Sequence, residues 1–397
     1  MKTNHADVLV IGKGLIGSAA AKHVSATGKK VIITGPDEPD DYEQAAIFSS
    51  HYDQARVQRL IGKDEAWTRL NVDSANAYPI IEKKSGIRFH TPVGCLYVSP
   101  HQQDAYLQQA PALSKQFSTS PAFYEQTTQL STAFPDFQFP QGSSGLFEPG
   151  PSGYINPRLL LKAQLSLFRE NGGMESTQTI QTLTEDNGLY TAVADDGTLF
   201  HASSVVLAPG SFANFLPLSP RKPDMQAKSE VVLLARLGEN EIAHLKNLPS
   251  LLYEINTPEL DGIYLLPPVK YPDGETYLKL GCNMPEDIYF NSLEEVQDWF
   301  RHGDSAALAD KIRQALFTLM PALKADSFIT KRCIISRTEH GRPYIGSMDG
   351  KGLYFAGGCN GYSAMCSEAI GRVISNLVTE NRFPDGYQAD WFKIMYQ

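Results

Sequence analysis

One stretch constrains this chain more than any other: the glycine turn Gly12-Lys13-Gly14-Leu15-Ile16-Gly17, set between a short apolar run and an alanine-rich segment. Asp7–Ile11 reads as a buried strand, Ser18–Thr27 as a helix stopped by Gly28, and Val31–Thr34 as a second β-branched strand. Residues 6–35 therefore form one βαβ unit. Each glycine has a task. Gly12 permits the tight turn, Gly14 lets backbone approach a pyrophosphate, and Gly17 allows close helix–strand packing. The helix N-terminus that follows the turn offers N–H groups and positive potential to an anion. A structural glycine turn has the same letters, but strand, turn, helix and second strand in register point to dinucleotide binding. The motif does not separate FAD from NAD. The acidic residue that would take the ribose hydroxyls belongs at the end of the second strand, where Gly35 stands. Asp37 and Glu38 are either its substitutes or solvated loop charges.

A chain of 397 residues accommodates two domains or one interwoven pair. The net charge of -9 comes without a basic stripe, since Lys13, Lys22, Lys29 and Lys30 run straight into Asp37, Glu38, Asp40 and Asp41. That argues against nucleic acid. No run approaches the roughly 18 apolar residues of a membrane span. Cys95, Cys282, Cys333, Cys359 and Cys366 form an odd set with neither C-x-x-C nor zinc spacing, so no metal site is expected and a reducing cytoplasm fits.

Further along, residues 36–62 read as a loop and then a helix carrying Arg56 and Arg59. Residues 65–85 read as a helix, 86–99 as strands, and 100–150 show weak periodicity. Asn156-Pro157 opens a helix through Phe168. Hairpins are predicted over 178–200, with turns at Asp186-Asn187-Gly188 and Asp195-Asp196-Gly197. Ser203–Leu207 is a strand entering Ala208-Pro209-Gly210. Residues 225–290 are strand-rich, and 292–322 hold two helical stretches. The chain closes with strands at Cys333–Ile335 and Leu353–Ala356, glycines, and a helix over about Ser363–Thr379.

The run Tyr354-Phe355-Ala356-Gly357-Gly358-Cys359-Asn360-Gly361-Tyr362 resembles the closing flavin-contact segment of the D-amino-acid-oxidase superfamily. Thr338-Glu339-His340-Gly341-Arg342-Pro343-Tyr344-Ile345-Gly346 resembles its T-x-D-G-x-P-x-I-G stretch, and Val205 to Gly210 its middle strand. Within that superfamily the sequence is most similar to the monomeric sarcosine oxidase and amadoriase branch. Ser49-Ser50-His51-Tyr52-Asp53-Gln54-Ala55-Arg56-Val57-Gln58-Arg59 resembles its S-H-x-D-x-R-x-x-R loop, with one extra residue. Tyr277-Leu278-Lys279-Leu280-Gly281 resembles the strand that carries its lysine, and Cys333 falls where that branch links flavin covalently.

The resemblance implies FAD as cofactor, contacted by Gly12, Gly14, Ile16, Gly17, Ser49, Ser50, Arg56, Ile180, Gly210, Cys333, Gly358, Asn360, Gly361 and Tyr362. It implies that Lys279 lies over the flavin and promotes its reaction with oxygen. The physics agrees, because a fixed cation stabilises the negative charge that oxygen acquires. Alternation puts Tyr277, Lys279 and Gly281 on one strand face and Leu278 and Leu280 on the other. Arg59 is the implied grip on a substrate carboxylate, since its fork suits bidentate pairing. For Cys333 a thioether to flavin and a buried free thiol both remain open. Two positions depart from the branch. Met365 replaces a helix-start lysine and Asn283 replaces a histidine, so half of the carboxylate clamp is missing. Substrate contacts are then expected from Tyr277, Asn283, Met365 and Tyr362.

The expected architecture is an α/β fold. A Rossmann-like FAD-binding domain (1–85, 150–222 and 326–397) is interwoven with a substrate domain built on a mixed or antiparallel sheet (86–149 and 223–325). The expected reaction is oxidation of a small amine or amino acid to an imine, with oxygen reduced to hydrogen peroxide. The rivals are a flavin dehydrogenase using another acceptor, a NAD-dependent dehydrogenase, and a non-catalytic FAD-binding subunit of a complex. The sequence leaves the oligomeric state open.

Overall fold

The strand Thr3–Ile11 is buried along Val8–Ile11, the pattern of a central parallel strand covered on both faces. It pairs in parallel with Val31–Thr34 on one side and with Leu199–Leu207 on the other. Leu199–Leu207 in turn pairs in parallel with Leu353–Gly357, so that Ile11, Leu207 and Phe355 lie in register. Three strands thus end together, and each runs into glycine: Gly12, Gly210 and Gly357-Gly358. Open α/β sheets bind ligands at that edge. The computed structural model describes residues 2–40, 45, 51–101, 103–255 and 257–397. Among them this first sheet has eight strands, completed by Ile180–Asp186, Leu189–Ala194, Met174–Ser176 and Tyr344–Ser347.

The hairpin Ile180–Asp186/Leu189–Ala194 turns through Asn187 and Gly188, both at positive φ (50° and 83°), as the predicted turn requires. Helix Leu15–Ser25 packs against helix Ser363–Glu380 so closely that a Cβ at Gly371 would lie 2.3 Å from the Ala19 Cβ. A buried polar network ties these helices to Pro157–Glu170. Glu368 accepts from Lys22 (2.6 and 2.7 Å), lies 2.7 Å from His23, and accepts from Gln164 (3.1 Å), while Ser18 donates to Gln164 (2.6 Å).

Among the described residues the second sheet has nine strands and is mostly antiparallel, although Ser250–Tyr253 runs parallel to Cys95–Ser99. Its central strands Met225–Arg236, Thr276–Asn283 and Ser327–Thr338 bury Val231, Leu233, Leu278, Leu280 and Ile334 against Val296, Trp299, Ile312 and Leu316. The last four belong to helices Leu293–His302 and Ala309–Leu319. At roughly 1.5–3 kcal/mol per large apolar side chain, that face fixes the sheet's orientation. Period-two alternation then turns Lys228, Glu230, Lys279, Asn283 and Cys333 to the opposite face.

The helix expected over Arg56 and Arg59 is absent. Arg56–Gln58 is a short strand paired with Gly153–Ile155, and Arg59 follows it, so the two arginines do not share a helical face. A backbone ladder supplied from a remote segment overrides the three-residue spacing. The weakly periodic residues 100–150 hold helices Ala105–Gln116 and Thr127–Ala133; the first is capped by Asp104, which accepts from the Leu107 N–H at 2.9 Å. No helix among the described residues is long and apolar enough to cross a membrane.

Candidate active site

The glycine turn lines a cavity of about 150 Å³ that opens to solvent. Gly12, Gly14 and Ile16 line it together with Ile180, Gly210, His51 and Ile334. At Gly12 (φ 112°) a Cβ would meet the Ala208 carbonyl oxygen at 2.2 Å, and at Gly17 it would meet the Gly12 oxygen at 1.8 Å, so only glycine fits either place. Gly14 precedes the helix without offering a side-chain cap, which leaves first-turn N–H groups for a ligand. This cradle fits the diphosphate of a dinucleotide. The end of the second strand offers no acid. A Cβ at Gly35 would lie 2.8 Å from the Lys13 nitrogen, Asp37 pairs with Lys13 (2.5 Å), and Glu38 pairs with Arg158 (Arg158 Nε at 2.8 Å). Burial pushes His51 down to about 3, so it faces the cavity as a neutral imidazole. Ser49 and Ser50 lie outside the described residues.

The C-terminal glycine loop is fixed by Asn360, a non-glycine residue at φ 52°. Its side chain accepts from the Thr338 N–H (3.1 Å) and donates to the Thr338 hydroxyl (3.1 Å) and the Gly358 carbonyl (2.9 Å). A Cβ at Gly358 would strike Thr338 Cγ2 at 2.3 Å, so the loop is locked against the end of the Ser327–Thr338 strand. Gly361 follows, and Tyr362 leads into the last helix.

Lys279 is 1% exposed. Its ammonium donates to Asp53 Oδ2 (2.6 Å) and to the Ala55 carbonyl (3.1 Å), and lies 5.4 Å from the Tyr264 ring centroid. Burial, and then the Arg56 charge, hold its pKa well below the usual lysine value. Asp53 is the junction of this part of the site. It also accepts from the Tyr271 hydroxyl (2.8 Å) and pairs with Arg56, whose guanidinium donates to the Ala55 carbonyl at 3.1 Å. Gly281 leaves room for Tyr264, whose Cζ would be 2.2 Å from any Cβ there.

Arg59 is buried between aromatic rings, 4.9 Å from the Tyr106 centroid and 5.5 Å from that of Tyr362. Its Nε is buried and has no hydrogen-bond partner among the described residues. Glu148 holds the segment after Arg59 by accepting from the Leu60 (3.0 Å) and Ile61 (2.7 Å) N–H groups; burial raises its pKa to about 7.

The other sequence candidates have defined places. Met365 is buried on the first turn of the last helix, where its carbonyl accepts from the Tyr78 hydroxyl (2.8 Å). Tyr277 donates to Asp273 (2.9 Å) and packs edge-on against Tyr271. Asn283 accepts from Lys228 (3.1 Å) and donates to the Asp261 carbonyl (3.1 Å). Cys333 is half-buried, and its thiol lies 3.6 Å from the Ile334 carbonyl. Sequence reasoning missed three acids. Asp53 stands inside the quoted loop motif, and Glu148 precedes Pro149-Gly150. Glu230 stands at the edge of the apolar run Val231-Val232-Leu233-Leu234, after Gln226, Lys228 and Ser229, so the sequence gives it no special mark.

A family profile described as "DAO: FAD dependent oxidoreductase" matches residues 7–377. Over 220 residues the chain is 26% identical to an N-methyl-L-tryptophan oxidase of Yersinia pestis, covering 55% of this chain and 57% of that enzyme. The fold matches an L-proline dehydrogenase from P. horikoshii (TM-score 0.76, 15% identity, 98% of this chain and 97% of that one). It also matches a fructosyl amine:oxygen oxidoreductase, amadoriase I, from Aspergillus fumigatus (TM-score 0.69, 16% identity, 96% and 88%).

Proposed function

Since the chain belongs to the DAO family of FAD-dependent oxidoreductases, we propose that it oxidises the C–N bond of a small amine or amino acid to an imine, with oxygen as acceptor and hydrogen peroxide as product. Family membership also answers the choice between FAD and NAD that the glycine turn leaves open. The observation that carries the reading is Lys279, an ammonium buried on the non-core face of the second sheet and tied to the loop that precedes Arg56. A lysine that only solvated a strand would not be buried. Bound in the cavity, FAD supplies the two-electron acceptor for the carbon beside the substrate nitrogen.

The protein's own residues do the rest. Gly12, Gly14, Gly17, Ile16, Ile180 and Gly210 would hold the dinucleotide, and Gly358, Asn360, Gly361 and Tyr362 would contact its flavin end. Arg56 and Lys279 would supply positive charge to the flavin, and Arg59 would offer its unpartnered Nε to a substrate carboxylate. Met365 and Asn283 bring no cation of their own, so the contact rests on Arg59, with Lys63 over the same Tyr362 ring at 5.4 Å. Tyr362 borders the substrate space. Cys333 shares the Lys279 face, and a thioether from it to the flavin would form with loss of the thiol proton, a methyl proton and two electrons, which oxygen would take up through the reduced flavin. Acid precipitation reads that bond: colour in the pellet assigns it, and colour in the supernatant removes it. Five free cysteines accord with a reducing cytoplasm.

The test is anaerobic bleaching of the flavin by a panel of primary and secondary amines and amino acids, followed by peroxide yield on admitting air. Bleaching without peroxide, and with transfer to a quinone, identifies the dehydrogenase reading; the L-proline dehydrogenase of like fold makes that arm necessary. Bound FAD that no amine bleaches identifies the non-catalytic subunit.

A further inference from the structure

The second sheet carries a carboxylate that the reading above does not use. Glu230 is 6% exposed and lies on the same non-core face as Lys279. Its register partner on the Ser327–Thr338 strand is Cys333. On the other flank, Val231 pairs with Cys282, so Glu230 follows beside Asn283. Lys228, two residues back on its own strand, reaches both, at 3.1 Å from Asn283 Oδ1 and 3.5 Å from Glu230 Oε2.

Glu230 is not needed as the counter-ion of Lys228. Asp287 already fills that role through direct contact with the Lys228 ammonium, and its carboxylate also accepts from the Met284 N–H at 3.0 Å. The long contact from Lys228 is the only side-chain hydrogen bond of Glu230 among the described residues. A buried carboxylate so weakly bonded is expensive unless another cation or a proton arrives.

We propose that Glu230 receives the ammonium of the substrate and takes its proton, giving the neutral amine that can be oxidised. This rests on the amine-oxidase reading and names the substrate's form on arrival: a protonated amine rather than a neutral one. The step balances as a proton transfer. The substrate N–H bond breaks, its electron pair stays on nitrogen as the amine lone pair, and the proton forms a carboxylic acid on Glu230. The groups facing Glu230 set its readiness. Burial raises its pKa to about 7, while Lys228 and Lys279 oppose that rise and Asp287 reinforces it. Tyr264, Cys282 and Cys333 also lie near Glu230, and Arg337 reaches its neighbour Asn283 at 3.5 Å. A general base near the working pH is where proton transfer is most effective.

The test uses the holoenzyme and the amine that bleaches the flavin fastest in the panel, paired with the acid of the same skeleton lacking nitrogen. In Glu230→Gln, amine binding and the rate of anaerobic bleaching fall by about tenfold to a hundredfold, the range for a hydrogen bond between charged groups, while the nitrogen-free acid binds as before. The wild-type bleaching rate rises with pH through a limb near 7, and the variant lacks that limb. Glu230→Asp keeps the limb at a lower rate, and it serves as the readout if the Gln variant does not retain flavin. Equal loss for amine and acid, or no loss for either, overturns the proposal. A wild-type flavin that no amine bleaches instead removes the amine-oxidase reading beneath it.

Discussion

Replacing Lys279 by Met removes one charge and little volume from the centre of the site. The structure limits what else changes. Asp53 loses the 2.6 Å bond from Lys279 but keeps the Tyr271 hydroxyl at 2.8 Å and the pairing with Arg56, so its carboxylate is not orphaned. The stability loss should therefore fall short of the roughly 3–5 kcal/mol typical of a broken buried pair. The effect on oxygen is larger. If oxygen were to react about 4–5 Å from that ammonium, a unit charge at an effective dielectric constant of about 20 would contribute roughly 3–4 kcal/mol. That corresponds to about 10²–10³ in rate. Stopped-flow separates the two half-reactions: anaerobic bleaching by the best amine, then reoxidation in aerated buffer. Bleaching should change by less than about tenfold while reoxidation falls by the full factor. The pH dependence follows from the same charge. Burial and Arg56 press the Lys279 pKa below the ordinary lysine value, so wild-type reoxidation slows as pH rises through that lowered pKa. The Met variant should be flat over the same range. Reoxidation in Lys279→Met within about threefold of wild type would refute the role given to this ammonium and favour a different electron acceptor.

Arg59→Lys should raise KM for carboxylate-bearing amines by about 10- to 100-fold and leave carboxylate-free amines unaffected, since one charged hydrogen-bonding fork is lost; steady-state kinetics on matched substrates check it. Gly12→Ala places a Cβ 2.2 Å from the Ala208 carbonyl at φ 112°, so the protein should lose FAD, measured as the flavin-to-protein absorbance ratio. Glu368 bears on acid stability. Burial works against its charge, but His23 and Lys22 outweigh that and hold it at about 2, below its usual 4.5. Its contribution of about 3 kcal/mol is full above the unfolded pKa and is lost as pH falls toward 2, so a Glu368→Gln variant should show a flatter acid limb in urea titrations.

The sequence by itself determined the parts whose information is local. The Gly12–Gly17 turn, the strand and helix around it, and the Gly357–Tyr362 loop before the last helix are written in periodicity and in glycines that nothing else can replace. The Lys279 face followed from alternation along five residues. What lay beyond it was decided by pairing across the chain. Arg56 and Arg59, three apart, suit a helix on local grounds, but the Gly153–Ile155 strand supplies the backbone partners that make Arg56–Gln58 extended. Asp53 acquires its role only when Lys279 and Tyr271 fold onto it, and Glu148 only when its carboxylate meets the N–H groups after Arg59. Glu230 looks in the sequence like one more polar residue after Lys228-Ser229, and its place beside Asn283 and Cys333 is a matter of register. Secondary structure responds to neighbours in sequence, whereas the charge and burial of an active site are set by residues that only the tertiary fold brings within a few ångströms.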